Sequence, residues 1–149
     1  MRRAVPWAVV CLLASLMLLP ASAVAASPEE LMTAALNEAR EGLGRPALSV
    51  SPALTASAED YAATLGRRGT FAHGSPLAVG GDFEQKGEIL ALRGGDRPAV
   101  APTVRAWLAS SGHRAILLDP DYRWVGVGRA QGRFNGRSAT VWVAHFGRR

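Results

Sequence analysis

The clearest hydrophobic pattern in the chain lies in residues 52–65, where Leu54, Ala58, Tyr61, Ala62 and Leu65 recur at i, i+4, i+7, i+8 and i+11. That period is helical, and Ser51-Pro52 supplies a capping hydroxyl followed by a proline already set for the first turn. Gly66 or Gly69 ends the helix, so Phe71-Ala72-His73-Gly74 emerges just beyond it. An earlier helix is expected over residues 28–41. Ser27-Pro28-Glu29-Glu30 forms a capping box, Leu31, Ala35, Ala39 and Leu43 follow at helical spacing, and Gly42 and Gly44 supply the stop.

Residues 75–97 are rich in glycine and carry no sustained period apart from Gly87-Glu88-Ile89-Leu90-Ala91, and they read as a long ordered loop. A third helix is expected over residues 102–110, with Val100, Val104, Trp107 and Leu108 on one face. Ser111-Gly112 breaks it and sets up His113, and residues 114–118 add one or two more turns. Two alternating runs, residues 122–130 and 138–146, flank Asn135-Gly136, a hairpin signal. In the first run Trp124, Gly126 and Gly128 share a face, and bare glycines there leave room for a helix to approach closely. In the second, Trp142, Ala144 and Phe146 oppose Val141, Val143 and His145. Trp107 and Trp124 are expected to be core anchors, and His145 a satisfied or half-exposed sheet histidine.

The N-terminal segment has a different character. Arg2 and Arg3 precede an apolar run ending at Pro20, and small residues follow through Ala26, the three-part build of a secretory signal over residues 1–26. With that segment removed, residues 27–149 are expected to form a single domain with no transmembrane segment and no cysteine, since Cys11 lies inside the apolar run; a retained membrane anchor is the alternative. Such a chain relies on its core alone for stability. The net charge is +5, and setting aside Arg2 and Arg3 leaves +3. The arginines are scattered, with few aromatic residues between them to stack on bases, which argues against nucleic acid and is compatible with an anionic envelope surface.

The candidate chemistry is carried by His73, Glu88 and His113. In order along the chain, Leu36-Asn37-Glu38-Ala39-Arg40, Ala58-Glu59-Asp60-Tyr61-Ala62, Phe71-Ala72-His73, Gly87-Glu88, Trp107-Leu108-Ala109-Ser110-Ser111-Gly112-His113-Arg114 and Val125-Gly126-Val127-Gly128 resemble the CAP superfamily. That superfamily comprises cysteine-rich secretory proteins, antigen 5 and plant pathogenesis-related class 1 proteins, and the resemblance is to its short bacterial form without cysteines. It implies an α+β fold, a three-layer α-β-α sandwich with a small, mainly antiparallel sheet. It also implies a central cleft lined by two histidines and two glutamates, which holds a divalent metal in some members. His73, Glu88 and His113 match three of the four, whereas Ser110 stands where those members carry the second glutamate. Gly87-Glu88-Ile89 likewise departs from the commoner Gly-Glu-Asn.

Two histidines and one glutamate still make a competent first shell for zinc with an open fourth position. The alternative is a pair of structural histidines that fix their loops, with Glu88 capping a helix or pairing with Arg114. Hydrolysis would need a general base and an oxyanion stabiliser in addition to metal, and Glu88 cannot comfortably be both ligand and base. No Gly-x-Ser-x-Gly elbow is present. The expectation is therefore a secreted, monomeric binding module, extracellular or periplasmic. Its cleft at His73, Glu88, Ser110 and His113 would take a divalent metal or a small lipid-like or wall-derived ligand. A metal-dependent hydrolase and a structural protein of the envelope are the alternatives.

Overall fold

The computed structural model describes residues 25–74 and 82–149. The expected signal lies almost wholly outside the described residues, as does the first part of the expected loop. Helix α1 (Pro28–Gly42) opens with the capping box: Glu30 N–H donates to Ser27 Oγ at 3.1 Å, and Ser27 N–H donates to Glu30 Oε2 at 2.7 Å. Its buried line is Met32, Leu36 and Arg40, one position on from the expected stripe, so that Leu31 and Leu43 stay half-exposed. The reason is Arg40, a charged residue that takes a core position because backbone carbonyls satisfy its guanidinium.

Strand β1 (Ser49–Val50) leads into helix α2 (Pro52–Arg68), whose buried face of Leu54, Ala58, Ala62 and Leu65 matches the sequence period. Gly69, with φ of 62°, ends the helix in the left-handed conformation glycine tolerates. Strand β2 (Gln85–Gly94) follows, where the sequence suggested mostly loop. Ile89 packs with one core and Leu90 with the other, so both faces are apolar and no alternation marks the strand.

Helix α3 (Val100–Ala109) starts two residues before Pro102. Proline is tolerated there because N–H groups of the first turn have no intrahelical acceptor. The chain bends at Ser110, and helix α4 (Ser111–Leu117) begins at once, which puts His113 in its first turn rather than ahead of it. Strands β3 (Trp124–Phe134) and β4 (Arg137–Arg148) form the expected hairpin; β3 starts two residues later than expected and runs four further toward the turn, and β4 is longer at both ends. Asn135 and Gly136 both have positive φ, 50° and 77°, as a type I′ turn requires.

The sheet order is β1-β3-β4-β2, parallel only at the short β1–β3 pair. One face carries Ile89, Val125, Val127, Trp142 and Phe146 against α1, α3 and α4; the other carries Leu90, Val141 and Val143 against α2. The result is the α-β-α layering. Gly126 and Gly128 set how closely α2 approaches: a Cβ at either would come within 2.0 Å and 2.3 Å of the helix backbone. Trp107 is an anchor, its indole N–H donating to Leu90 O at 2.8 Å. The second anchor is Trp142, bonded to Pro98 O at 2.7 Å, and not Trp124, which is half-buried beneath Arg149. Among the described residues no helix is long and apolar enough to cross a membrane.

Candidate functional site

The site lies where the segment after α2 crosses the β2 side of the sheet. Tyr61, on the last turns of α2, donates its hydroxyl to Ala72 O at 2.7 Å. A Cβ on Gly74 would sit 3.2 Å from the Tyr61 ring, so the backbone passes closely over it. His73 is thereby held between two braced neighbours. Its side chain is 62% exposed.

Beneath it is Glu88, on β2, with 5% of its side chain exposed. Oε1 accepts from His73 Nδ1 at 2.7 Å and from the Gly74 N–H at 3.1 Å. Oε2 accepts from His145 Nε2 at 3.0 Å. His145 is directly opposite Glu88 in the β2–β4 register and is 1% exposed. Its ring stacks against Tyr61, with centroids 6.4 Å apart.

Burial alone would raise the Glu88 pKa, but hydrogen bonds from His145, His73 and the Gly74 amide outweigh it and hold the carboxyl below its ordinary value. The group is a carboxylate, so each imidazole nitrogen facing it carries a proton. Burial, followed by the charge of Glu88, pushes the Tyr61 phenol up.

His113 forms a second pair. Its Nδ1 lies 3.0 Å from Ser110 Oγ, at the bend between α3 and α4. Burial lowers the His113 pKa, and the charge of His73 lowers it further. The site residues expected from sequence thus come together as two pairs, His73 with Glu88 and His113 with Ser110, with no hydrogen bond between the pairs. Glu88 does not pair with Arg114.

His145 is the residue that sequence reasoning missed. Its signal was its place on the Val141 and Val143 face, which pointed to Glu88 only once β2 was known to be a strand in register with β4.

The resemblance implies a divalent metal held by His73, His113 and Glu88. The donor set does not assemble as such a shell. Both Glu88 oxygens are occupied by N–H donors, and among the described residues no group of three or more His, Cys, Asp or Glu is placed to hold a metal ion.

Known proteins place the chain. Over 119 residues it is 27% identical to the uncharacterized protein YkwD of Bacillus subtilis (strain 168), covering 74% of this chain and 43% of that protein. The chain spans less than half the length of the curated relatives it matches. Among solved structures it superposes on an outer surface protein from Borrelia burgdorferi with a TM-score of 0.65 and 24% identity, covering 82% of this chain and 92% of that one. It superposes on an extracellular protein containing a SCP domain from Bacillus anthracis with a TM-score of 0.64 and 20% identity, covering 82% and 40%. These two likenesses show the shared fold. Residues 33–146 match the cysteine-rich secretory protein family, CAP, and the chain belongs to that family.

Proposed function

We propose that this chain is an extracellular CAP-domain binding module whose cleft, formed around His73 and His113, takes up a small wall-derived or lipid-like ligand. The observation that carries this reading is the contrast within one hydrogen-bonded pair: Glu88 is 5% exposed and His73 is 62% exposed. A carboxylate buried that deeply needs hydrogen-bond partners, but nothing in that need calls for one that is mostly exposed. Here a buried carboxylate orients an imidazole and leaves its other nitrogen toward solvent, as supporting groups do for a residue that meets a ligand.

Two further observations support the reading. The N-terminal pattern of Arg2, Arg3 and an apolar run is that of a secretory signal, and the Bacillus anthracis relative is described as extracellular. A hydrolase is disfavoured because Glu88, the one carboxylate of the site, is 5% exposed and accepts three N–H hydrogen bonds that hold its pKa below the ordinary value, which makes it a weak base.

The test is a titration of the purified protein, followed at the histidine ring resonances, with soluble wall fragments, fatty acids and zinc in turn. Saturable shifts at His73 and His113 with a fragment or lipid, lost in His73→Ala, support the module. No shift with any of them overturns it. Ester or peptide cleavage abolished by His113→Ala would replace it with the hydrolase.

A further inference from the structure

His145 is a buried titratable side chain outside the site expected from sequence, and it has two unlike nitrogens. Nε2 faces Glu88 Oε2 at 3.0 Å, and Nδ1 is buried with no hydrogen-bond partner among the described residues. We infer that His145 is a positioning residue of the cleft: through Glu88 it fixes His73 in the tautomer with Nδ1–H inward and a bare Nε2 outward.

His145 lies on a central strand, 1% exposed, with Tyr61 stacked against it. Its ring cannot switch to the Nδ1–H tautomer without losing the bond to Glu88 and burying an N–H that has no acceptor. The Nε2–H donor is therefore constant, and it clamps Oε2. The carboxylate plane is fixed by that clamp, which leaves Oε1 aimed at the loop, where the Gly74 N–H and His73 Nδ1 meet it.

His73, exposed and on a loop, would otherwise sample both tautomers and several ring orientations. Held as described, it offers a lone pair to the cleft. Resting on the binding reading above, the ligand then meets His73 through a group that donates a hydrogen bond, such as a hydroxyl or amide, rather than through an acceptor-only anion.

The experiment is two-bond 1H–15N correlation of the imidazole rings above the histidine titration range, on wild type, His145→Leu and His145→Gln. In wild type, His73 should carry its proton on Nδ1 and His145 on Nε2. In a His145→Leu protein with a dispersed amide spectrum, His73 should lose its preference for Nδ1–H. His145→Gln, whose side-chain amide can donate to the same oxygen, should restore it. A structural spacer would leave His73 unmoved in the leucine variant. That result, or a wild-type His73 protonated on Nε2, overturns the inference. Should the leucine variant not fold, the wild-type His145 ring decides: a slowly exchanging Nε2–H supports the inference and protonation on Nδ1 overturns it. These readouts need no ligand. A cleft that binds nothing while the tautomers hold would remove the binding module and leave the role of His145 standing.

Discussion

Glu88 and His145 face each other across β2 and β4, and the carboxylate Oε2 accepts from the imidazole Nε2 at 3.0 Å in a setting almost closed to water. The pair joins the sheet to the loop that carries His73, so a cross-strand contact becomes the foundation of the site. Its energy depends on the ionised carboxylate.

The folded pKa of Glu88 lies below the ordinary glutamate value. Its contribution to stability is therefore present in full above the unfolded value of about 4.3 and is lost as pH falls through the lower folded value. Glu88→Gln should remove that part of the acid sensitivity and cost about 1–3 kcal/mol near neutral pH, because the amide keeps one acceptor oxygen and sets an NH2 group against the N–H donors that faced the other. Urea denaturation midpoints across that range, for wild type and variant, provide the check. Parallel curves for the two proteins would contradict the assignment.

His113 should titrate below the ordinary histidine value of about 6.5, since burial and the charge of His73 both disfavour its imidazolium. The folded state binds this proton less readily than the unfolded one. Stability tied to His113 is thus complete above the ordinary value and declines as pH drops through it toward the folded one. His73→Gln removes the like charge and leaves the burial. The His113 pKa should rise in that variant but stay below the ordinary value, as followed by ring proton shifts against pH. An unchanged titration would place His73 too far away to matter.

Gly128 and Gly112 make an internal contrast. A Cβ on Gly128 would lie 2.3 Å from the backbone carbon of Ala58, whereas one on Gly112 would meet nothing within 4 Å. Gly128→Ala must push α2 off the sheet and should cost at least about 3 kcal/mol, at the upper end of overpacking penalties. Gly112→Ala, in the first turns of α4, should be neutral or gain up to about 1 kcal/mol from helix propensity. Thermal melts of the two variants beside wild type would show it, and equal melting temperatures would refute the close-approach role of Gly128.

What was legible in the sequence divides along physical lines. The helix caps at Ser27 and Ser51, the Asn135-Gly136 turn and the glycine face of β3 are local rules, and each is met in the fold. Strand β2 escaped notice because Ile89 and Leu90 are both buried, which erases the alternation that marks a half-exposed strand. His145 escaped with it, because a cross-strand partner is invisible until both strands and their register are known. Trp124 and Trp142 were interchanged as anchors for a related reason: both are tryptophans on strands, and only the long connection through Pro98 decides which indole N–H is satisfied in the interior. The pairing of His113 with Ser110 sits in the bend between α3 and α4, which the sequence placed one residue late.

Arg40 carries the last prediction. Its guanidinium is fully buried and donates to Pro46 O at 2.9 Å, Leu117 O at 2.7 Å, Asp119 O at 3.1 Å and Tyr122 O at 3.4 Å. These carbonyls belong to the turn after α1, the C-terminal end of α4 and the connection from α4 to β3, so one side chain of α1 ties three segments behind the sheet. Burial lowers the Arg40 pKa, aided by the charges of Arg123 and Arg45, yet the group stays charged because its unperturbed value is so high. Arg40→Met keeps the length and apolar stem but leaves the carbonyls without their donor, and should cost about 3–5 kcal/mol, the range for stripping one side of a buried polar cluster. Arg40→Lys brings three donors on a single point and cannot span all four oxygens, so it should fall between wild type and methionine. Chemical denaturation of the three proteins gives the order. Methionine equal to or more stable than lysine would mean that the carbonyls find water or each other, and that the arginine acts through its stem alone.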